Sequence, residues 1–221
     1  MASSSKIVDL RNLLAERFPQ TPLPAAGQLS TGIGPVDRQL GGGLSKSAMT
    51  ELSSPHPSAG SALLIAALVH AAHRDGYFIA LVDGRNSFDP AGLSEIGHSS
   101  LPNLLWVRCD QAKEALQAAD LLLRDGNFPL VVVDLVLNPA EQLRKIPQTT
   151  WYRLQRLVEA APTAFLVLTR QSIISSAQLK LTLKNSWALQ DLEHGDEELL
   201  SRLRIEVRRT HAARMEMARA S

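Results

Sequence analysis

The stretch Thr50–Gly76, TELSSPHPSAGSALLIAALVHAAHRDG, decides the fold. It reads as a short strand, a Pro/Ser/Gly loop and a long apolar helix. That layout belongs to a phosphate-binding loop, in which backbone N–H groups at a helix N-terminus cradle an anion. A complete loop of this kind reads G-x-x-x-x-G-K-[ST], with Lys on the β- and γ-phosphates and the hydroxyl on magnesium. Here Gly60 is followed by Ser61 and Ala62, so the ammonium and the metal-binding hydroxyl are both missing. A hydrogen bond to a charged group contributes roughly 1.5–3 kcal/mol, so the two losses together cost about 3–6 kcal/mol. That is roughly two to four decades of affinity. Weak nucleotide binding is the most such a loop supports. The same strand–loop–helix is also an ordinary βα unit.

Downstream the chain alternates short apolar runs with helical segments. The runs are Tyr77–Val82, Leu104–Val107, Leu130–Val133 and Ala164–Leu168. Uninterrupted apolar runs suit strands buried on both faces, as in a parallel sheet. Between them, Lys113–Arg124 and Thr150–Ala160 read as helices, the second with Thr149 as a candidate N-cap. This is βαβ rhythm. Upstream, LSTGIGPVDRQLGGGL over Leu29–Leu44 predicts a short helix capped by Thr31 or Gly34 and ended by Gly41–Gly43. Those glycines sit where the helix dipole is negative, which favours a structural turn over a phosphate cradle.

After residue 178 the pattern changes. Leu179, Leu181 and Leu183 alternate with polar residues, as do Leu203, Ile205 and Val207. Alternation marks strands with one wet face, expected as antiparallel additions at the sheet edge. Asp191–Glu198, DLEHGDEE, reads as an acidic exposed connection. At the other end Ile7, Leu10, Leu13, Leu14 and Phe18 share a helical face that Pro19 terminates, and Pro22, Pro24 and Gly27 form a linker. This arm either folds back on its own body or docks on another protomer or protein. The expected organisation is an arm and linker over 1–28, a core over 29–209 and a basic tail over 210–221.

The 221 residues fit one domain, and 45% hydrophobic with 20% charged residues is ordinary for a globular chain. A net charge of +1 gives no global pull toward nucleic acid or membrane. The single Cys109 cannot form an intrachain disulfide and fits a reducing compartment. MASSSKIVDL has no signal-like apolar region, and no apolar run has membrane-spanning length. The expected location is the cytoplasm. His70 and His73 sit three apart on one helix with nothing nearby to complete a metal site.

The order of these pieces resembles the core of RecA-type recombinases over roughly Leu29–Arg209. Leu29–Leu44 is similar to the segment before their phosphate loop, and Thr50–Gly76 to the loop and helix, with one extra residue before Gly60. LVDGRNSFDP over Leu81–Pro90 resembles the strand that delivers their catalytic carboxylate, and LVVVDL over Leu130–Leu135 their second nucleotide-site strand, with Asp134 at the aspartate position. LLWVRC and RKIPQTTWYRLQRLVEAAPTAFLVL narrow the resemblance to the ImuA-like branch. The resemblance implies an α/β three-layer fold of RecA type, with a mostly parallel central sheet and antiparallel strands in the C-terminal part.

Departures from the family pattern carry the functional expectation. Arg85 stands where the recombinases place a catalytic Glu. A general base typically supplies about 10²–10⁴ in rate, and Arg stays protonated. Asp134 remains, although an aspartate at a strand end is also an ordinary capping residue. Thr169–Gln178 is far shorter than the recombinase loop that grips single-stranded DNA, so strand exchange is not expected. The vestigial nucleotide site thus comprises Gly60, Ser61, Ala62, Arg85 and Asp134, with no cofactor or metal expected and no catalysis. The resemblance implies an accessory role in DNA damage-induced translesion synthesis. Its partners would be RecA, a Y-family-polymerase-like scaffold protein and a specialised replicative-type polymerase. Candidate partner surfaces are Ile7, Leu10, Leu14 and Phe18 on the arm, then Arg208, Arg209 and Arg214. A residual ATPase or nucleotide sensor, and a cell-division inhibitor, are the alternatives.

Overall fold

A computed structural model describes residues 27–56, 58–90, 93 and 103–209. A two-strand ribbon, β1 (Gln28–Leu29) with β2 (Leu44–Ser45), brackets helix α1 (Gly34–Leu40). Then come β3 (Ala48–Ser53), α2 (Ser61–Asp75), β4 (Ile79–Asp83), β5 (Leu104–Arg108), α3 (Ala112–Asp125) and β6 (Leu130–Asp134). They are followed by α4 (Ala140–Arg144), α5 (Gln148–Glu159), β7 (Ala164–Thr169), β8 (Leu179–Leu183), α6 (Asp196–Ser201) and β9 (Ile205–Arg209). Among the described residues no helix is long and apolar enough to cross a membrane.

Seven strands form one sheet in the order β5-β4-β6-β7-β3-β8-β9, and only β9 runs antiparallel. The apolar runs are apolar because both faces are covered. Ile79, Leu81, Leu130, Val132, Leu166 and Leu168 face α2, meeting Leu64, Ile65, Leu68 and Ala72. Their strand neighbours Ala80, Val82, Val131, Val133, Phe165 and Val167 face α3 and α5, meeting Leu116, Ala119, Leu123, Trp151 and Leu154. Period-2 alternation thus splits each strand between two cores. The expected three-layer, mostly parallel architecture is what the chain adopts.

Several local expectations are corrected. β8 runs parallel to β3, so the antiparallel character enters only at the β8/β9 pair. β5 is an edge strand and its apolar residues are only half-buried. Thr149 lies inside α5, whose N-cap position is Pro147. Asp191–Glu198 is largely exposed, as expected, but it is not structureless: a 3-10 turn covers Leu189–Glu193 and α6 begins at Asp196.

Neither Thr31 nor Gly34 caps α1, whose N-cap position is Ile33. Instead Asp37, in the first turn, accepts from Thr31 N at 2.9 Å, Thr31 Oγ1 at 2.7 Å and Ser30 Oγ at 2.7 Å. The glycines after α1 form a turn, as expected. Gly43 has φ +132°, and a Cβ there would lie 2.1 Å from Leu29 O, inside the β1/β2 ribbon.

Candidate functional site

The carboxyl ends of parallel strands form the crevice where open α/β sheets bind ligands. Four segments meet at that end here: the loop before α2, the turn after β4, the end of β6, and the segment between β8 and β9. They enclose a cleft of about 460 Å³ whose lining includes Ser61, Ala62, Asp134, Phe88, Leu137 and Trp187.

The loop after β3 begins where Ser54 N donates to Thr169 O at 2.8 Å. It ends at Gly60, with φ +98°, and the first helical bond runs from Leu64 N to Gly60 O at 2.9 Å. The segment after β8 closes over it. Trp187 N donates to Ser58 O at 3.0 Å. A Cβ on Gly60 would come within 2.8 Å of Leu203 Cδ1 and 3.1 Å of Trp187 Nε1. Gly60 is therefore required by its backbone angle and by the side chains packed on it. Trp187 Nε1 is buried with no hydrogen-bond partner among the described residues, and Arg202 lies over the indole ring at 5.4 Å, itself paired with Asp191 at 3.3 Å.

The turn after β4 is organised by Asp83, fully buried. Its carboxylate accepts from Phe88 N at 2.8 Å and Arg85 N at 3.2 Å. This turn presents Ser87, Phe88 and Asp89 to the cleft. The exposed Arg85 side chain turns elsewhere, donating through Nη1 to Asp110 O at 3.2 Å.

Asp134 ends β6, in register with Asp83 on β4. Its Oδ1 accepts from Val136 N at 3.0 Å, and no ion pair reaches it among the described residues. Burial pushes its pKa up to about 6; the Val136 N–H opposes that and the charge of Asp83 adds to it.

The sequence-derived residues therefore divide. Ser61, Ala62 and Asp134 line one cleft, Gly60 supports its floor from beneath Trp187 and Leu203, and Arg85 is not among the lining residues. Sequence reading missed Trp187, Leu203, Leu137 and Asp196. The one signal in the chain was Trp187, an isolated large aromatic in a polar stretch. Of the proposed partner surfaces, Ile7, Leu10, Leu14, Phe18 and Arg214 lie outside the described residues. Arg208 donates to Glu206 on the same strand at 2.7 Å, and Arg209 pairs through β9 with Leu179.

A magnesium–nucleoside triphosphate, the ligand of a working loop, matches this donor set poorly. The helix start offers no ammonium, and among the described residues the lining holds Asp89, Asp134 and Asp196 with no Lys or Arg. A polyanion there would face like charge rather than a cation.

The model of the RecA N-terminal domain matches residues 20–150. Protein RecA of Desulfotalea psychrophila is 35% identical over 130 residues, covering 58% of this chain and 36% of that protein. Protein RecA of Teredinibacter turnerae is 33% identical and that of Acinetobacter baumannii 31%, each over 130 residues and 37% of its own length. The chain thus matches little more than a third of the length of these relatives.

Proposed function

The chain belongs to the RecA N-terminal domain family, and from that premise we propose that it is a non-hydrolysing accessory member acting by protein–protein binding. The carrying observation is the start of α2. Ser61 and Ala62 stand where Lys and a metal-binding hydroxyl are needed, Gly60 is packed beneath Trp187 and Leu203, and the cleft has carboxylates in place of cations. The turning of Arg85 toward Asp110 adds support, since the general-base position of the family pattern holds a side chain outside the cleft. The ImuA-like stretches favour a role in DNA damage-induced translesion synthesis in the cytoplasm. RecA, a Y-family-polymerase-like scaffold and a specialised replicative-type polymerase are the proposed partners. The arm face of Ile7, Leu10, Leu14 and Phe18 is the first proposed contact and the basic tail the second.

Calorimetric titration with ATP and magnesium tests the non-catalytic part. The expected result is no turnover and no binding tighter than roughly the high micromolar range. A low-micromolar Kd would overturn it and favour a nucleotide sensor, the reading that the retained cleft and Asp134 would then support. Co-purification from DNA-damaged cells tests the partners. Loss of RecA or the scaffold on deleting residues 1–20, with the body still folded, is the expected outcome.

A further inference from the structure

The cleft keeps the position of a nucleotide site, but its chemistry is inverted. Its walls are mostly apolar, including Ala62, Leu63, Phe88, Val136 and Trp187, and Leu137 at 57% exposed offers an uncovered apolar side chain. Its charged lining is acidic. Asp134 is held at an apolar wall with one N–H donor and no cation beside it among the described residues, and Asp196 begins α6 with no ion pair among them. Among the described residues no group of carboxylates and His is arranged to hold a metal ion.

We infer that this cleft is a docking site for a basic segment of a partner protein, an Arg or Lys entering beside Asp134 while an apolar neighbour rests on Leu137 and Phe88. The inference rests on the reading that the nucleotide site is spent, since both ligands would claim the same space. Charge complementarity selects the occupant. Asp134 is already half-buried in the free protein, so a guanidinium gains a partly desolvated partner without the full cost of burying it. The apolar wall supplies the anchoring area that a rim charge alone lacks. Among the described residues the chain's own basic strand end lies elsewhere: β9 runs antiparallel, so Arg209 sits beside Leu179 at the end of the sheet away from the cleft.

The test uses the full chain, isotope-labelled so that NMR reads the Trp187 indole N–H and the Leu137 methyls. The probes are an N-acetylated, C-amidated peptide Leu-Arg-Ala-Leu-Arg-Ala, the same peptide with Glu for Arg, and magnesium–ATP. The basic peptide should move both reporter signals and the acidic peptide neither. Asp134→Asn combined with Asp196→Asn should weaken the basic peptide about tenfold. Leu137→Ser, at an exposed position that leaves the fold intact, should weaken it as well. Silent reporters at millimolar basic peptide, an equal response to the acidic peptide, or unchanged binding in the double aspartate variant overturns the inference. The underlying reading fails separately: magnesium–ATP moving these reporters at micromolar concentration would remove it, whereas silence from both ATP and the basic peptide removes only the docking inference.

Discussion

Glu51 on β3 and Asp134 on β6 flank the same central strand, β7, yet their carboxylates live under opposite conditions. Glu51 is fully buried and saturated. It accepts from Ile173 N at 2.6 Å, Ile174 N at 3.0 Å and Ser172 Oγ at 2.8 Å, with Lys180 Nζ at 3.3 Å. Asp134 has one backbone N–H and an apolar cleft. A buried carboxylate with its lone pairs filled is a fastener: it fixes the chain after β7 against β3. One removed from water with few donors is a standing cost, and such residues mark sites that bind something. The same sheet therefore separates a structural acid from a candidate functional one by counting donors.

The hardest test of that contrast is Glu51→Ala. It would strand two backbone N–H groups and Lys180, and removing one partner from a buried pair costs about 3–5 kcal/mol. Thermal or urea unfolding should show that loss, with Glu51→Gln intermediate because it keeps one acceptor oxygen. An Ala variant within about 1 kcal/mol of the parent would mean that Lys180 and the freed N–H groups find water, and that Glu51 is no fastener.

Much of this geometry was readable in the chain, and the unreadable part has a common cause. The doubly apolar runs announced strands covered on both sides, and Asp83 and Asp134 were legible as residues at strand ends. The alternation of Leu179, Leu181 and Leu183 correctly marked a strand, but alternation reports a wet face and is silent on direction. Direction came from the connection after β7, which Glu51 holds so that β8 returns parallel to β3. The cover on Gly60 was equally hidden, because Trp187 and Leu203 reach it across more than a hundred residues of sequence. Local pattern places elements; long-range side-chain packing decides which of them reach the cleft.

Gly60→Ala sharpens the comparison at the loop. If Gly60 were kept only for a phosphate, the change would be harmless without nucleotide. The φ of +98° and the contacts to Leu203 and Trp187 instead predict a loss of about 1–3 kcal/mol in the ligand-free protein. At roughly 2–4 °C per kcal/mol for a chain of this size, calorimetry should see it as a lowered Tm. Unchanged Tm would mean that the loop moves freely under Trp187.

The smallest effect, and the one of opposite sign, belongs to Asp134→Asn. The folded carboxyl has its pKa raised to about 6 from 3.8. A raised acid pKa means that the native state holds the proton more tightly than the unfolded chain. The associated stabilisation is complete below about pH 4 and is lost as pH rises through 6. Above that, the ionised side chain is carried at a cost. A rise of this size sets a ceiling of about 3 kcal/mol on that cost. Partial exposure of the residue reduces this to about 1–2 kcal/mol. Asparagine keeps the acceptor for Val136 N and discards the charge. Relative to the parent, the variant should therefore gain stability at about pH 7–8, and the gain should shrink as pH falls through 6 and approach zero only below about pH 4. Titrations elsewhere are common to both proteins and cancel in the difference. A variant less stable than the parent at about pH 8 would show that the Asp134 carboxylate is held by a cation in solution. The contrast with Glu51 would then collapse, since both acids would be fasteners.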